Sequence, residues 1–170
     1  MQHRTALHCG VDNTLSALTI EKFDKVFQAQ TDQYASVFWS YPNPSAGISV
    51  DSNDYFTWPP DSGNAFSGFK FAVDEYGFLD LSRITNISQD GMFTITYAIA
   101  IKTVESSQTP VAWELVLQST SCARSTGILT PSCFSGSCVA SIQKGSDVRL
   151  QNLSTSTVTV TSASISICPI

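Results

Sequence analysis

Between Met92 and Ile101 the chain alternates without a break. Phe93, Ile95, Tyr97, Ile99 and Ile101 take one set of positions, and Thr94, Thr96, Ala98 and Ala100 take the other. Period two is the mark of a β-strand, because successive side chains leave opposite faces of a pleated backbone. The second set is small and uncharged, so this face too is expected to be covered, which places the strand centrally. The same period recurs downstream. Trp113, Leu115 and Leu117 alternate with Glu114, Val116 and Gln118, and Cys138, Ala140 and Ile142 alternate with Val139, Ser141 and Gln143. Val148 and Leu150 follow the Lys144-Gly145-Ser146 turn, then Val158 and Val160, then Ala163, Ile165 and Ile167, each with polar neighbours. Short strands at regular spacing with turn residues between them predict an antiparallel sandwich or barrel.

Upstream the runs are shorter. Val26–Gln30, Ala35–Ser40, Ile48–Val50, Phe69–Val73 and Gly77–Leu81 read as strands. Residues 41–47 carry two prolines, which cannot donate to a ladder, and read as a loop. Asp51 to Gly68 is a long stretch punctuated by Gly, Pro and Asn that carries Tyr55, Phe56, Trp58 and Phe66. Thr14 to Lys22 reads as a short helix or an extended arm. The division is an N-terminal arm or neck over residues 1–22 and one head domain over 23–170.

Composition then narrows the function. Of the 170 residues 14% are charged, against about 25% in an ordinary soluble protein, and the net charge is −5. Ser and Thr fill the gap at about a quarter of the chain; they take the outward positions of strands, where Thr suits the pleat and neither adds charge. An acidic chain lacks the clustered Lys and Arg that neutralise phosphates, so a nucleic-acid partner is not expected. No apolar run reaches the roughly 20 residues of a membrane-spanning helix. No apolar stretch of a signal peptide follows Met1-Gln2-His3-Arg4.

Candidate chemistry is sparse. The two histidines, His3 and His8, stand in the first ten residues, where a general base would be hard to hold in place. Asp51, Asp54, Asp61, Asp74, Glu75 and Asp80 sit among turn-forming residues, and their spacing specifies no catalytic pair and no EF-hand; calcium on these loop oxygens is the minor reading. No catalytic residue, metal site or cofactor is assigned. The five cysteines, Cys9, Cys122, Cys133, Cys138 and Cys168, contain no zinc spacing. Cys122 and Cys133 flank a Ser/Thr/Gly/Pro stretch that a disulfide would staple, and a bridge among Cys122, Cys133 and Cys138 competes with the reading of small buried thiols. Asn86-Ile87-Ser88 and Asn152-Leu153-Ser154 match the N-glycosylation triplet and are permissive of secretion.

Three segments together carry a resemblance. Gly91-Met92-Phe93-Thr94-Ile95-Thr96-Tyr97 follows the polar turn Asn86–Asp90. Val139 to Leu150 reads strand, Lys-Gly turn, strand. Ala163–Ile167 closes the chain. In order and spacing they resemble the tumour necrosis factor and complement subcomponent one-q globular-head superfamily, over residues 78–170. Ser146 is inserted between Gly145 and Asp147, the complement-type closing Phe-Ser-Gly-Phe is missing, and the segment between Val116 and Cys138 is atypical. The resemblance implies an all-β, ten-strand antiparallel jelly-roll sandwich and a homotrimer. It transfers no particular receptor.

The expectation is a non-enzymatic trimeric head for recognition or assembly, at an extracellular location or on a virion or particle surface. Phe93, Ile95, Tyr97 and Ile99 are expected in the core, with Thr94, Thr96 and Ala98 facing the threefold axis. The loops 51–68 and 120–136 are candidate contact regions for a protein or glycan partner. Tyr55, Phe56, Trp58 and Phe66 are either contact anchors there or packing across the end of the sandwich. The competing classes are a structural capsid jelly roll and a carbohydrate-binding sandwich. In the latter Trp39, Trp58 and Trp113 would stack on sugars, with Glu114 as a lone carboxylate.

Overall fold

A computed structural model describes residues 32–41, 46–102, 110–128 and 132–170. The N-terminal arm, the strand expected at Val26–Gln30, both histidines and Cys9 lie outside the described residues. Eleven strands follow one another: β1 (Tyr34–Ser40), β2 (Ile48–Val50), β3 (Gly63–Ser67), β4 (Phe69–Val73), β5 (Leu79–Asn86), β6 (Gly91–Ile101), β7 (Pro110–Leu117), β8 (Thr120–Ile128), β9 (Ser132–Ile142), β10 (Asp147–Asn152) and β11 (Val158–Pro169). They form two antiparallel sheets. The first runs β3-β1-β11-β6-β9, with β2 continuing beside β11. The second runs β4-β5-β10-β7-β8. This is the all-β jelly roll the sequence implies, with eleven strands in place of ten.

The alternating strand β6 lies between β11 and β9 in the first sheet. Its inward residues Phe93, Ile95, Tyr97 and Ile99 are buried, as are Val37 from β1, Ile165 and Ile167 from β11, and Trp113, Leu115 and Leu150 from the second sheet. Burying one such side chain contributes about 1.5–3 kcal/mol, so the facing apolar rows dominate the cohesion of the two layers.

β11 departs from the sequence pattern in an instructive way. Two alternating runs, Val158/Val160 and Ala163/Ile165/Ile167, are out of phase by one residue and read as separate strands. They are one strand, whose register against β6 shifts between Val160 and Ser162. A bulge adds one residue, so both runs keep their apolar side chains inward. The stretch 120–136, expected as a loop, is mostly strand: β8 and the start of β9 fall within it. Its Ser, Thr and Gly composition suits strands at the sandwich edge as well as turns.

Across that edge Cys122 of β8 is bridged to Cys138 of β9, with Cα atoms 6.1 Å apart. The bond ties one sheet to the other. Cys133 is free and exposed. Five positions separate it from Cys138, and an odd separation along a strand puts the two on opposite faces. Only the inward cysteine meets β8.

Candidate recognition surface

The outward face of the first sheet is built from the polar half of each alternating strand. The antiparallel register lines its residues up in rows across β1, β11, β6 and β9. One row reads Phe38, Ser164, Ala98, Ser135; the next reads Ser36, Ser166, Thr96, Ser137. Ser40, Ser162, Ala100 and Cys133 form a row on one side, and Cys168, Thr94 and Val139 one on the other. No outward position of these four strands carries a charge. Four strands at about 4.8 Å and four rows at about 6.8 Å give a footprint of about 500 Å2, of the same order as the roughly 800 Å2 on one side of a standard protein interface. Large apolar side chains stand on it: Phe38 is 61% and Val139 60% exposed, with Met92 and Ile170 at the far end. A shallow depression of about 300 Å3 lies between Phe38, Ala98, Cys133 and Ser164.

The opposite sheet differs. Its outward positions carry Lys70, Asp80, Arg83, Glu114, Arg124, Asp147 and Arg149. Arg83 meets the Asp147 carboxylate at 2.9 Å and Arg149 meets it at 3.4 Å. Thr85 Oγ1 donates to Asp147 Oδ1 at 2.6 Å, and the Arg149 guanidinium lies 4.8 Å over the Tyr55 ring. Four of the seven charges, Asp80, Arg83, Asp147 and Arg149, pair with one another at this surface.

Thr96 and Ala98 stand exposed on the uncharged face with Thr94 partly covered beside them, while Phe93, Ile95, Tyr97 and Ile99 turn away from it into the core. Phe38, Val139, Cys133 and Cys168 share the face, and sequence reading did not single them out as surface residues. The parity of β1 was the available signal, since Phe38 falls between Val37 and Trp39, both inward. Of the aromatics in 51–68, Phe56 and Trp58 are buried edge to face with ring centroids 5.0 Å apart. Phe66 packs edge to face on Phe71 at 5.2 Å. They close the end of the sandwich, and neither Phe56 nor Trp58 has a free face for a partner. Tyr55 is half-buried under Arg149. Trp58 and Trp113 are likewise too deeply buried to stack on a sugar, and Trp39 is buried as well, at 6% exposure. Glu114 sits on the outward side of the second sheet, paired in register with Arg124. Among the described residues no group of three or more His, Cys, Asp or Glu is placed to hold a metal ion, and no helix is long and apolar enough to cross a membrane.

No protein-family model matches the sequence, and neither does any curated protein. Solved structures do match in three dimensions. The tumour necrosis factor Eiger from S. frugiperda superposes with a TM-score of 0.57 at 10% identity, over 81% of this chain and 93% of that one. The globular domain of zebrafish complement 1qA protein gives 0.53 at 14% identity, over 81% and 97%. Murine APRIL gives 0.54 at 5% identity, over 80% and 99%. These superpositions show that the chain shares the jelly-roll fold of those tumour necrosis factor and complement structures.

Proposed function

We propose that this protein is a non-enzymatic recognition or assembly head that works as a homotrimer, joined through the uncharged face of the β3-β1-β11-β6-β9 sheet. The contrast between the two sheets carries the reading. One outer face holds seven charged side chains, and the other holds none on its four long strands while displaying Phe38 and Val139. Desolvating a charge without a partner costs several kcal/mol, so a face without any is the one that meets another protein surface at least cost. A second copy is the partner proposed, because the resemblance to the tumour necrosis factor and complement one-q heads implies a homotrimer and the net charge of −5 is spread thinly. Loops at the ends of the sandwich are then left free to contact a further protein or glycan. The Cys122–Cys138 bridge supports an extracellular or particle-surface setting, since disulfides persist in oxidising surroundings.

Size-exclusion chromatography with light scattering tests the assembly. The expected mass at micromolar concentration is three times the 18.4 kDa of the chain. A mass of one chain under those conditions overturns the reading.

A further inference from the structure

At one end of the first sheet a cavity of about 340 Å3 is lined by Trp39, Tyr41, Ile48, Pro59 and Asp61. Each wall is fixed by backbone. Trp39 pairs with Ala163 on β11, and the Tyr41 N–H donates to Thr161 O at 2.9 Å. Ile48 pairs with Val160. The Pro59–Ser62 turn is closed by the Ser62 N–H on Pro59 O at 3.0 Å, with Pro60 setting the bend and Asp61 at its outer corner. The two aromatic rings differ in access: Tyr41 is 40% exposed and offers its ring to the cavity, while Trp39, 6% exposed, meets it edge to face at 5.9 Å and lies 6.2 Å from Phe56 in the core. The Asp61 carboxylate is exposed and makes no hydrogen bond or ion pair among the described residues.

We propose that this cavity binds an organic cation, an ammonium or guanidinium group. Aromatic rings attract such a cation through their negative faces, and an unpaired carboxylate at the rim supplies the opposite charge. A neutral sugar needs several directed hydrogen bonds besides an aromatic platform, and among the described residues the lining offers polar side chains at Tyr41 and Asp61 alone. An anion would meet the carboxylate. The preset walls leave little ordering to be done on binding, which favours even a small ligand.

The full chain, labelled for the indole N–H signals of its three tryptophans, is titrated with tetramethylammonium chloride and with N-acetyl-arginine methylamide. Ionic strength is matched with sodium chloride. Controls are the neutral isostere 3,3-dimethylbutanol and methyl α-glucoside. The expected result is a saturating shift of the Trp39 signal with a cation, with Trp58 and Trp113 unmoved; whichever cation binds more tightly defines the group recognised. Tyr41→Ala and Asp61→Asn, both at exposed positions, are each expected to weaken binding about fivefold. An equal response to the neutral isostere, a response to the glucoside in place of the cations, unchanged affinity in Asp61→Asn, or no saturable shift up to about 50 mM overturns the proposal. Light scattering on the same samples keeps the outcome separate from the trimer, because the cavity needs no second chain.

Discussion

Two asparagines show how a residue's meaning changes between sequence and structure. Asn86 and Asn152 head the two glycosylation triplets, and both are completely buried. The Asn152 side-chain amide donates to Val50 O, Asp51 O and Ser156 O, while its Oδ1 accepts the Ser154 N–H at 2.9 Å. Asn86 repeats the arrangement, donating to Gln89 O and Ile142 O and accepting the Ser88 N–H at 3.0 Å. The triplet spacing that an oligosaccharyltransferase reads is here the spacing of a side-chain-capped turn. Folded protein from a secreting eukaryotic host should therefore carry no glycan at either site, so glycosidase treatment leaves its mass unchanged. Asn152→Ala should cost about 2–3 kcal/mol in denaturant unfolding, because backbone carbonyls are left buried without donors. Tyr97 is the titrating counterpart. Burial raises its phenol above the ordinary value of 10.0, against hydrogen bonding to Ser125. Its hydroxyl lies 3.1 Å from Trp113 O and 2.7 Å from Ser125 Oγ. A group held protonated by the fold contributes stability that is whole below its unfolded value and lost as pH rises through the folded one. Stability is thus expected to fall above about pH 10, and Tyr97→Phe should flatten that fall while costing about 1 kcal/mol at neutral pH. Urea titrations at stepped pH check both.

At the scale of elements, β6 was the most legible part of the chain and β11 the least. Ten alternating residues announce a central strand whatever surrounds them. In β11 the phase slip at Thr161 is visible in the sequence, yet period two alone does not distinguish two strands from one strand with a bulge. The pairing with β6 decides it, because the continuous ladder keeps both apolar runs on one side. β8 and β9 illustrate the reverse difficulty. The Ser, Thr and Gly of β8 and of the start of β9 look like loop, and they become strands because β7 and β6 offer unpaired edges to them. The Cys122–Cys138 bond holds these two edge strands together across 16 residues. Closing a loop of that length contributes about 3 kcal/mol by restricting the unfolded chain. The double substitution Cys122→Ser, Cys138→Ser should lower unfolding free energy by about that amount. A change below about 0.5 kcal/mol would show that the bridge is not formed. In protein unfolded in denaturant without reductant, peptide mapping after alkylation should find Cys133 and Cys168 modified, and Cys122 and Cys138 protected until reduction.

For the whole molecule, the deciding feature is that its two outer faces differ in kind. If the uncharged face is the subunit contact, one charge placed at its centre should dissociate the assembly without unfolding the chain. Ala98→Arg is exposed in a single chain and touches no core residue, so the thermal transition of the monomer stays cooperative while light scattering reports one chain mass. A trimer that survives this substitution would move the contact elsewhere. The sequence by itself determined the strands with regular alternation, the inward residues of β6, the all-β class and the lack of basic surface. These follow from local geometry, since period two sorts side chains between faces before any neighbour is known. The tertiary structure alone decided which cysteines pair, that Asn86 and Asn152 are structural, that Phe56 and Trp58 are core, and that the outward halves of β1, β11, β6 and β9 merge into one uncharged face. It also brought Trp39, Tyr41 and Asp61 to one cavity. Each of these depends on which strands become neighbours and in what register, and strand pairing joins residues far apart in the chain that no local pattern relates.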